Sequence, residues 1–402
     1  LKRLKIKKSL FSKYRHLFVF TLVVGLLLLT ACQAVSTSKT DQAQVTDTPI
    51  NLAASISTAS IQQTEAVTPS PSPSDEPQNS VSQAEVPENE DVSIVIMGDI
   101  LLGDTVYPHL ERNGFEYPYR EIKPILEKAD VAVGNLEFAV TTRGVKENKT
   151  WTFRAGPEVL PAMVEAGFDA VSLANNHAID YGRQGLLDTL DNVKQAGMGL
   201  FGAGQDEKEA YSPWVIEKGG KKFAFLGFSR IVRSETWKAT PTQPGVAETH
   251  QTDRALAAIG RAKENNDVVI VYPHWGTENT TEVEPYQHKL AQAYIDAGAD
   301  LVIGAHPHML QGLEQYKGKW IMYSLGNFIF QTIEERPLTW DTVILEAKFA
   351  KDGQVDLKLH PFLTTAAQPK KMSTEAEKRL FQRLTDISFD VKVNEDGTVS
   401  KP

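Results

Sequence analysis

The chain has almost no cysteine and no surplus of basic charge. Cys32 is the single cysteine among 402 residues, which excludes an internal disulfide framework, a zinc ribbon and any Cys-ligated cluster. A metal in this protein would have to sit on His, Asp, Glu or Asn. Lysine and arginine number 42 against 51 acidic residues, a formal charge of −9, so the clustered cations that release counterions from a nucleic-acid backbone are missing. No nucleic-acid partner is expected. Walker and dinucleotide patterns are absent too, and Gly202-Ala203-Gly204 is too short and poorly placed to be a nucleotide loop.

The charge is unevenly spread. Residues 1–16 hold seven Lys or Arg and no acid, and Leu17 to Leu29 is almost purely apolar. These are the n- and h-regions of a secretory signal, shorter than the roughly 20 residues of a membrane-spanning helix. The segment ends in Leu29-Thr30-Ala31-Cys32, which resembles a bacterial lipobox, where the thiol is linked to diacylglycerol and the peptide is cut before it. A signal-anchor with an incidental thiol is the plainer alternative. The expectation is a signal peptide over 1–31, Cys32 as lipidation site, and a protein held by its lipid anchor on the extracytoplasmic face of the cell membrane. Without its basic leader the chain is distinctly acidic, so acyl chains rather than electrostatics would hold it there.

From Gln33 to Glu90 there is no Phe, Tyr, Trp or Gly and one lysine, Lys39, with a run Thr68-Pro69-Ser70-Pro71-Ser72-Pro73-Ser74. Too little apolar surface is available to offset chain entropy, which predicts a disordered, extended linker over 32–91.

At Val92 the composition changes. Val92–Met97, Val131–Val133, Ala170–Ala174, Phe223–Phe228, Asp267–Tyr272, Leu301–Ile303 and Trp320–Tyr323 are short apolar runs rich in β-branched or aromatic residues. Helix-like stretches separate them: Glu121–Lys128, Pro157–Ala166, Gln184–Gln195, Asp253–Asn265 and Pro285–Ala297. Such alternation predicts an α/β domain with buried strands, placed over 92–362. Thr342–Phe349 and Val355–His360, joined through Asp352-Gly353, read as a hairpin. Residues 363–402 read as one helix, Glu375–Leu384, and a tail.

In open α/β sheets, ligands bind beyond the carboxyl ends of the strands. Those positions here carry Gly98-Asp99, Gly134-Asn135-Leu136-Glu137, Asn175-Asn176-His177, Pro273-His274-Trp275-Gly276 and Gly304-Ala305-His306-Pro307-His308. Neutral imidazole and carboxylate oxygen suit Mn, Fe or Zn, and a carboxylate can bridge two ions about 3.5–4 Å apart. Each element alone is weak, since Gly-Asp after a strand is most often a turn and a lone His is usually a hydrogen-bonded residue. His306-Pro307-His308 is stronger, because residues two apart in an extended loop face the same way and the proline stiffens the spacing. Five strand ends together point to a centre for one or two divalent ions. Softer candidates for substrate contact are Arg154, able to clamp a carboxylate or phosphate bidentately, and Asn175 and Glu278. For Arg154 a surface ion pair is the alternative; Trp275 fits packing better than recognition.

The series Gly98-Asp99-Ile100-Leu101-Leu102-Gly103-Asp104, Gly134-Asn135-Leu136-Glu137, Leu173-Ala174-Asn175-Asn176-His177-Ala178-Ile179-Asp180, Pro273-His274-Trp275-Gly276-Thr277-Glu278, Gly304-Ala305-His306-Pro307-His308 and Tyr323-Ser324-Leu325-Gly326-Asn327-Phe328 resembles the bacterial CapA family of poly-γ-glutamate capsule synthesis proteins. That family is similar in turn to calcineurin-like metallophosphoesterases. The resemblance runs from about Val92 to Pro361 and implies a four-layer α/β/β/α sandwich. It implies Asp99 and His308 as ligands of one ion, Glu137 as bridging carboxylate, and Asn176, His274 and His306 as ligands of a second. His177 would be the general acid, oriented by Asp180. Two positions depart from the phosphoesterase pattern: Asp99-Ile100-Leu101 stands where Asp-x-His is usual, and Glu137 is one methylene longer than the usual Asp.

These residues imply a metal-dependent hydrolase site, phosphoester- or amide-directed, in a protein of surface-polymer synthesis or export. Its partners would be an anionic polymer or a membrane synthase complex. The rival readings are a non-catalytic polymer-binding or synthase-partner subunit, and an extracellular nucleotide phosphatase, which would want an aromatic base-stacking domain.

Overall fold

The computed structural model describes residues 90–331 and 334–402. The signal peptide, Cys32 and nearly all of the 32–91 linker lie outside the described residues. Strands β1 (Val92–Ile100), β2 (Val131–Leu136), β3 (Ala170–Ser172) and β4 (Gly199–Phe201) alternate with helices α1 (Tyr107–Asn113), α2 (Lys123–Leu126), α3 (Leu160–Ala166) and α4 (Gly182–Gln195). Then come β5 (Trp214–Lys218), β6 (Lys221–Ser229), α5 (Thr252–Asn265), β7 (Val268–His274), α6 (Pro285–Asp296) and β8 (Leu301–Ile303). The last part is β9 (Leu310–Tyr316), β10 (Lys319–Leu325), β11 (Asn327–Ile329), β12 (Asp341–Phe349), β13 (Val355–Thr365), β14 (Gln368–Lys371) and α7 (Thr374–Asp386).

Two sheets form. One has the order β14-β13-β12-β1-β2-β3-β4, with β11 also pairing β1; the other has β9-β10-β8-β7-β6-β5. Their central strands β1, β2, β3 and β6, β7, β8 run parallel within each sheet. These strands are buried on both faces, which explains their continuous apolar runs. Alternation still sorts the side chains: Ile94 and Ile96 of β1 join Phe223, Phe225, Ile270 and Ile303 in the core between the sheets. Val95 and Met97 face the other way, against Leu186, Leu190 and Val193 of α4 and Leu160 and Met163 of α3. On the far side, Val269, Val271 and Val302 pack on Ala255, Ala258, Ile259 and Ala262 of α5 and on Leu290 and Tyr294 of α6. The i, i+3, i+4, i+7 spacing in α5 is why that helix covers a sheet. Helix, sheet, sheet, helix is the four-layer sandwich expected.

The C-terminal residues belong to this body. Strand β13 runs to Thr365, across the boundary placed at 362, and β14 adds a further strand beside it. Leu380, Phe381 and Leu384 of α7 are buried in the core between the sheets. Fully burying such a side chain is worth roughly 1.5–3 kcal/mol.

Candidate metal centre

The parallel strands of both sheets deliver their carboxyl ends to one place. In β1 the register with β2 shifts between Ile96 and Asp99, a bulge that re-aims the end of the strand. Past the bulge, Asp99 lies opposite Asn135 of β2 and Asn327 of β11. Gly98 is required by this approach, because a Cβ there would lie 2.0 Å from the Gly326 carbonyl oxygen.

Asp99, Glu137 and His274 are wholly or almost wholly buried, and so is His306. Ligand atoms of Glu137, His274 and His306 lie within 4.8 Å of one another; so do those of Asp99, Glu137 and His308, and those of Glu278, His306 and His308. Glu137 is common to the first two groups. Asp99 accepts from Asn135 Nδ2 at 2.8 Å and from the His306 N–H at 3.3 Å, and its Oδ2 is 3.2 Å from His308 Nδ1. His274 Nε2 is 2.7 Å from Asn176 Oδ1 and 3.6 Å from Glu137 Oε1. His306 and His308 both have left-handed backbones, φ 99° and 58°, a conformation that costs energy in a non-glycine residue and tends to persist at functional sites.

The electrostatics suit a cation. Burial and the charge of Asp99 hold the Glu137 carboxyl well above the usual range. Burial opposes ionisation of Asp99, but the hydrogen bond and charge of His308 overcome it and keep that carboxyl low. Burial, together with the neighbouring imidazoles, pushes His274 well down and His306 to about 3, so both offer neutral nitrogen lone pairs. His308 is raised: burial works against its charge, and Asp99 outweighs burial. Among the described residues, Glu137 Oε1 and His306 Nδ1 are buried without a hydrogen-bond partner. Orphaned buried acceptors are rare, and two orphans beside a carboxylate repulsion are what a divalent cation would relieve. The residues fit the implied metal.

Next to this cluster, His177 Nδ1 is 2.7 Å from Asp180 Oδ2, and its ring stacks on Phe153 with centroids 4.4 Å apart. Burial lowers the His177 pKa, against the opposing pull of Asp180.

The three softer candidates fall in different places. Asn175 is fully buried, donating to Asn135 Oδ1 and the Leu136 carbonyl and accepting from the His177 N–H. Its amide is engaged on both sides, which makes it a clamp between the β2 and β3 ends. Arg154 is exposed over the Tyr181 ring, 4.4 Å from its centroid, and lines a separate groove of about 370 Å³ with Asp104, Tyr107 and Glu158. Glu278, expected to touch substrate, shares a group with His306 and His308. Trp275 is core, donating from Nε1 to the Tyr323 carbonyl.

Sequence reasoning assigned no role to Asn135, Asn327 or Lys149. Asn135 Nδ2 lies between Asp99 and Glu137, 3.5 Å from the latter, and the two-residue spacing of 135 and 137 at a strand end was a usable signal. Asn327 Oδ1 is 2.9 Å from His308 Nδ1 and orients that ring. Lys149 sits in a polar loop with no pattern to mark it.

Residues 93–332 match the family described as bacterial capsule synthesis protein PGA_cap. The capsule biosynthesis protein CapA of Bacillus anthracis is 33% identical over 335 residues, covering 78% of this chain and 80% of that protein. The PGA biosynthesis protein CapA of Bacillus subtilis (strain 168) is 32% identical over 329 residues, 79% and 85% of the two chains. A probable polyglutamine synthesis accessory protein of Mycobacterium tuberculosis is 30% identical over 281 residues, 59% of this chain and 74% of that one. Among solved structures, the 5'-nucleotidase of Candida albicans SC5314 aligns with a TM-score of 0.40 at 11% identity, over 69% of this chain and 52% of that one.

Proposed function

Because the chain belongs to the bacterial capsule synthesis family PGA_cap, we propose that it serves in making or exporting an anionic surface polymer, poly-γ-glutamate, and that its metal centre is a hydrolase site. The observation that carries the second half is the pair of ligand groups sharing Glu137, with Glu137 Oε1 and His306 Nδ1 left unpartnered. Asp99 and His308 would hold one ion, Asn176, His274 and His306 another, with Glu137 between them. A divalent ion supplies Lewis acidity toward a phosphoryl or acyl oxygen and acidifies water. The protein's own residues do the rest. A carboxylate can only accept, so His177 Nδ1 carries its hydrogen toward Asp180, and because burial favours the neutral ring, Nε2 must first take up the proton it is to deliver. Phe153 fixes the ring plane, so His177 is oriented to hand that proton to a leaving oxygen. The basic leader, the apolar run and Cys32 support a lipid anchor on the extracytoplasmic face; among the described residues no helix is long and apolar enough to cross a membrane.

One observation favours a second reading. Ile100-Leu101 supplies no histidine beside Asp99, so the Asp99 group is short of nitrogen donors and would suit a polymer-binding subunit that holds metal without turning over. Metal content of the purified protein, with turnover of bis(p-nitrophenyl) phosphate by wild type and His177→Ala, separates the two. Bound metal with a loss of about 10²–10⁴-fold in kcat for the variant supports the hydrolase. Bound metal with no turnover favours the binding subunit, and neither metal nor turnover removes the metal centre altogether.

A further inference from the structure

Lys149 lies on the loop joining Ala139–Val140 to Arg154–Ala155, among neighbours that are mostly exposed, yet its side chain is only 4% exposed. A buried ammonium is costly unless its donors are matched. Here they are. Nζ donates to the Asn176 carbonyl oxygen at 2.7 Å, pairs with Asp180 Oδ1, and lies 3.2 Å from His177 Nδ1 and 5.2 Å from the Trp237 ring centroid. Among the described residues, Asp180 Oδ1 finds no partner but this ammonium. The loop is tied a second time, through the Glu147 N–H to the Asp180 carbonyl.

These contacts converge on one peptide plane. The Asn176 carbonyl and the His177 N–H belong to the same peptide bond; the first accepts from Lys149 and the second donates to Asn175 Oδ1 at 2.9 Å. That plane sets the direction of Asn176, a proposed ligand, and of His177, the proposed acid. Lys149 also meets the other half of the acid pair: Asp180 Oδ1 faces the ammonium, while Oδ2 receives His177 Nδ1 and the Phe153 N–H. Lys149 and Asp180 compete for His177 Nδ1, because the ammonium has only hydrogens to offer and the carboxylate only lone pairs. The contact of 2.7 Å to Asp180 against 3.2 Å to Lys149 decides it: with its charge directed at Oδ1, Lys149 leaves Oδ2 to hold the Nδ1 hydrogen.

We propose that Lys149 is a positioning residue, which fixes the Asn176–His177 peptide and the Asp180 carboxylate so that the metal ligand and the acid point into one site. The inference rests on the hydrolase reading for its catalytic consequence only. Lysine-to-methionine keeps the aliphatic stem and removes the ammonium; lysine-to-arginine keeps charge and donors.

The test uses the full chain labelled with ¹⁵N-histidine, as wild type, Lys149→Met and Lys149→Arg, with His177→Gln to assign the signal. We expect a slowly exchanging His177 Nδ1–H in wild type and Lys149→Arg, lost in Lys149→Met. Mn²⁺ affinity by titration calorimetry should fall about tenfold in Lys149→Met, the lower end of what supporting residues of metal ligands contribute. With a phosphodiester substrate, kcat should fall while KM holds. If Lys149→Met does not fold, Lys149→Gln, which keeps a donor without charge, is read the same way. A folded, uncharged variant with the Nδ1–H signal and Mn²⁺ affinity of wild type overturns the proposal, as does a wild type without that signal. If wild type binds Mn²⁺ and hydrolyses nothing, the hydrolase reading fails alone, since the signal and the affinity still decide the role of Lys149.

Discussion

Asn135 shows how much of the centre depends on one uncharged side chain. Its NH₂ donates to Asp99 Oδ1 at 2.8 Å and reaches Glu137 Oε2 at 3.5 Å, and its carbonyl takes a hydrogen from Asn175. An amide donor between two buried carboxyl groups satisfies lone pairs and adds no charge of its own. Asn135→Ala should therefore cost about 1–3 kcal/mol in urea denaturation, the penalty for a buried acceptor left unpaired. Asn135→Asp is nearly the same shape but places a third carboxylate in the cluster, so it should cost more than the alanine without metal. Added Mn²⁺ should narrow that gap. Equal losses for the two variants, with or without Mn²⁺, would show that the neutrality of Asn135 is not what the cluster needs.

Between elements, Glu346 joins three neighbouring strands. From β12 it accepts from Ser93 Oγ of β1 at 3.0 Å and contacts His360 Nε2 of β13 at 2.7 Å. The His360 hydrogen bond is the largest influence on Glu346 and holds its carboxyl below the ordinary 4.5, against burial. A carboxyl depressed in the folded state binds fewer protons there than in the unfolded chain. Its contribution is therefore present above the unfolded value and lost as pH falls through the folded one. Stability should decline below about pH 4.5 more steeply in wild type than in Glu346→Gln, by chemical denaturation from pH 6 to 3. Parallel acid limbs would remove Glu346 from the account. The elements themselves were readable to different depths. The central strands announced themselves by apolar runs, but β5 did not, because an edge strand alternates and half of Trp214–Lys218 faces solvent. Helix α2 shrank from Glu121–Lys128 to Lys123–Leu126; the bonds from Ile125 to Ile122 and from Lys128 to Ile125 are tighter turns around Pro124. The C-terminal helix could be read, but not its place, because Leu380, Phe381 and Leu384 form a short stripe whose partner, the gap between two sheets, exists only in three dimensions.

At the scale of the whole molecule, the proposed ligands divide between the two sheets. Asp99 lies in the last residues of β1, and Glu137 and Asn176 follow β2 and β3, while His274, His306 and His308 end or follow β7 and β8. This much was legible because each ligand sits at the carboxyl end of an apolar run. The supporting contacts were not, since Lys149 reaches the site from a loop and Asn327 from the short strand β11, and only the packing determines where either one lies. A cation held by both sheets is a cross-link that exists only in the folded state, so it stabilises by about 2.7 kcal/mol at a hundredfold excess over its Kd. Treatment with EDTA should lower the unfolding temperature by several degrees, and Mn²⁺ should restore it. Glu137→Gln gives the sharper test. Its acid form is already favoured in the metal-free protein by burial and by Asp99, so glutamine should leave the metal-free unfolding temperature unchanged or raise it. The same substitution removes the residue that joins the Asp99–His308 group to the His274–His306 group, so the rise with Mn²⁺ should vanish. Crossed effects, one neutral or stabilising and one lost, are expected only if Glu137 is a ligand; a variant destabilised without metal and still stabilised by Mn²⁺ would make it an ordinary buried acid.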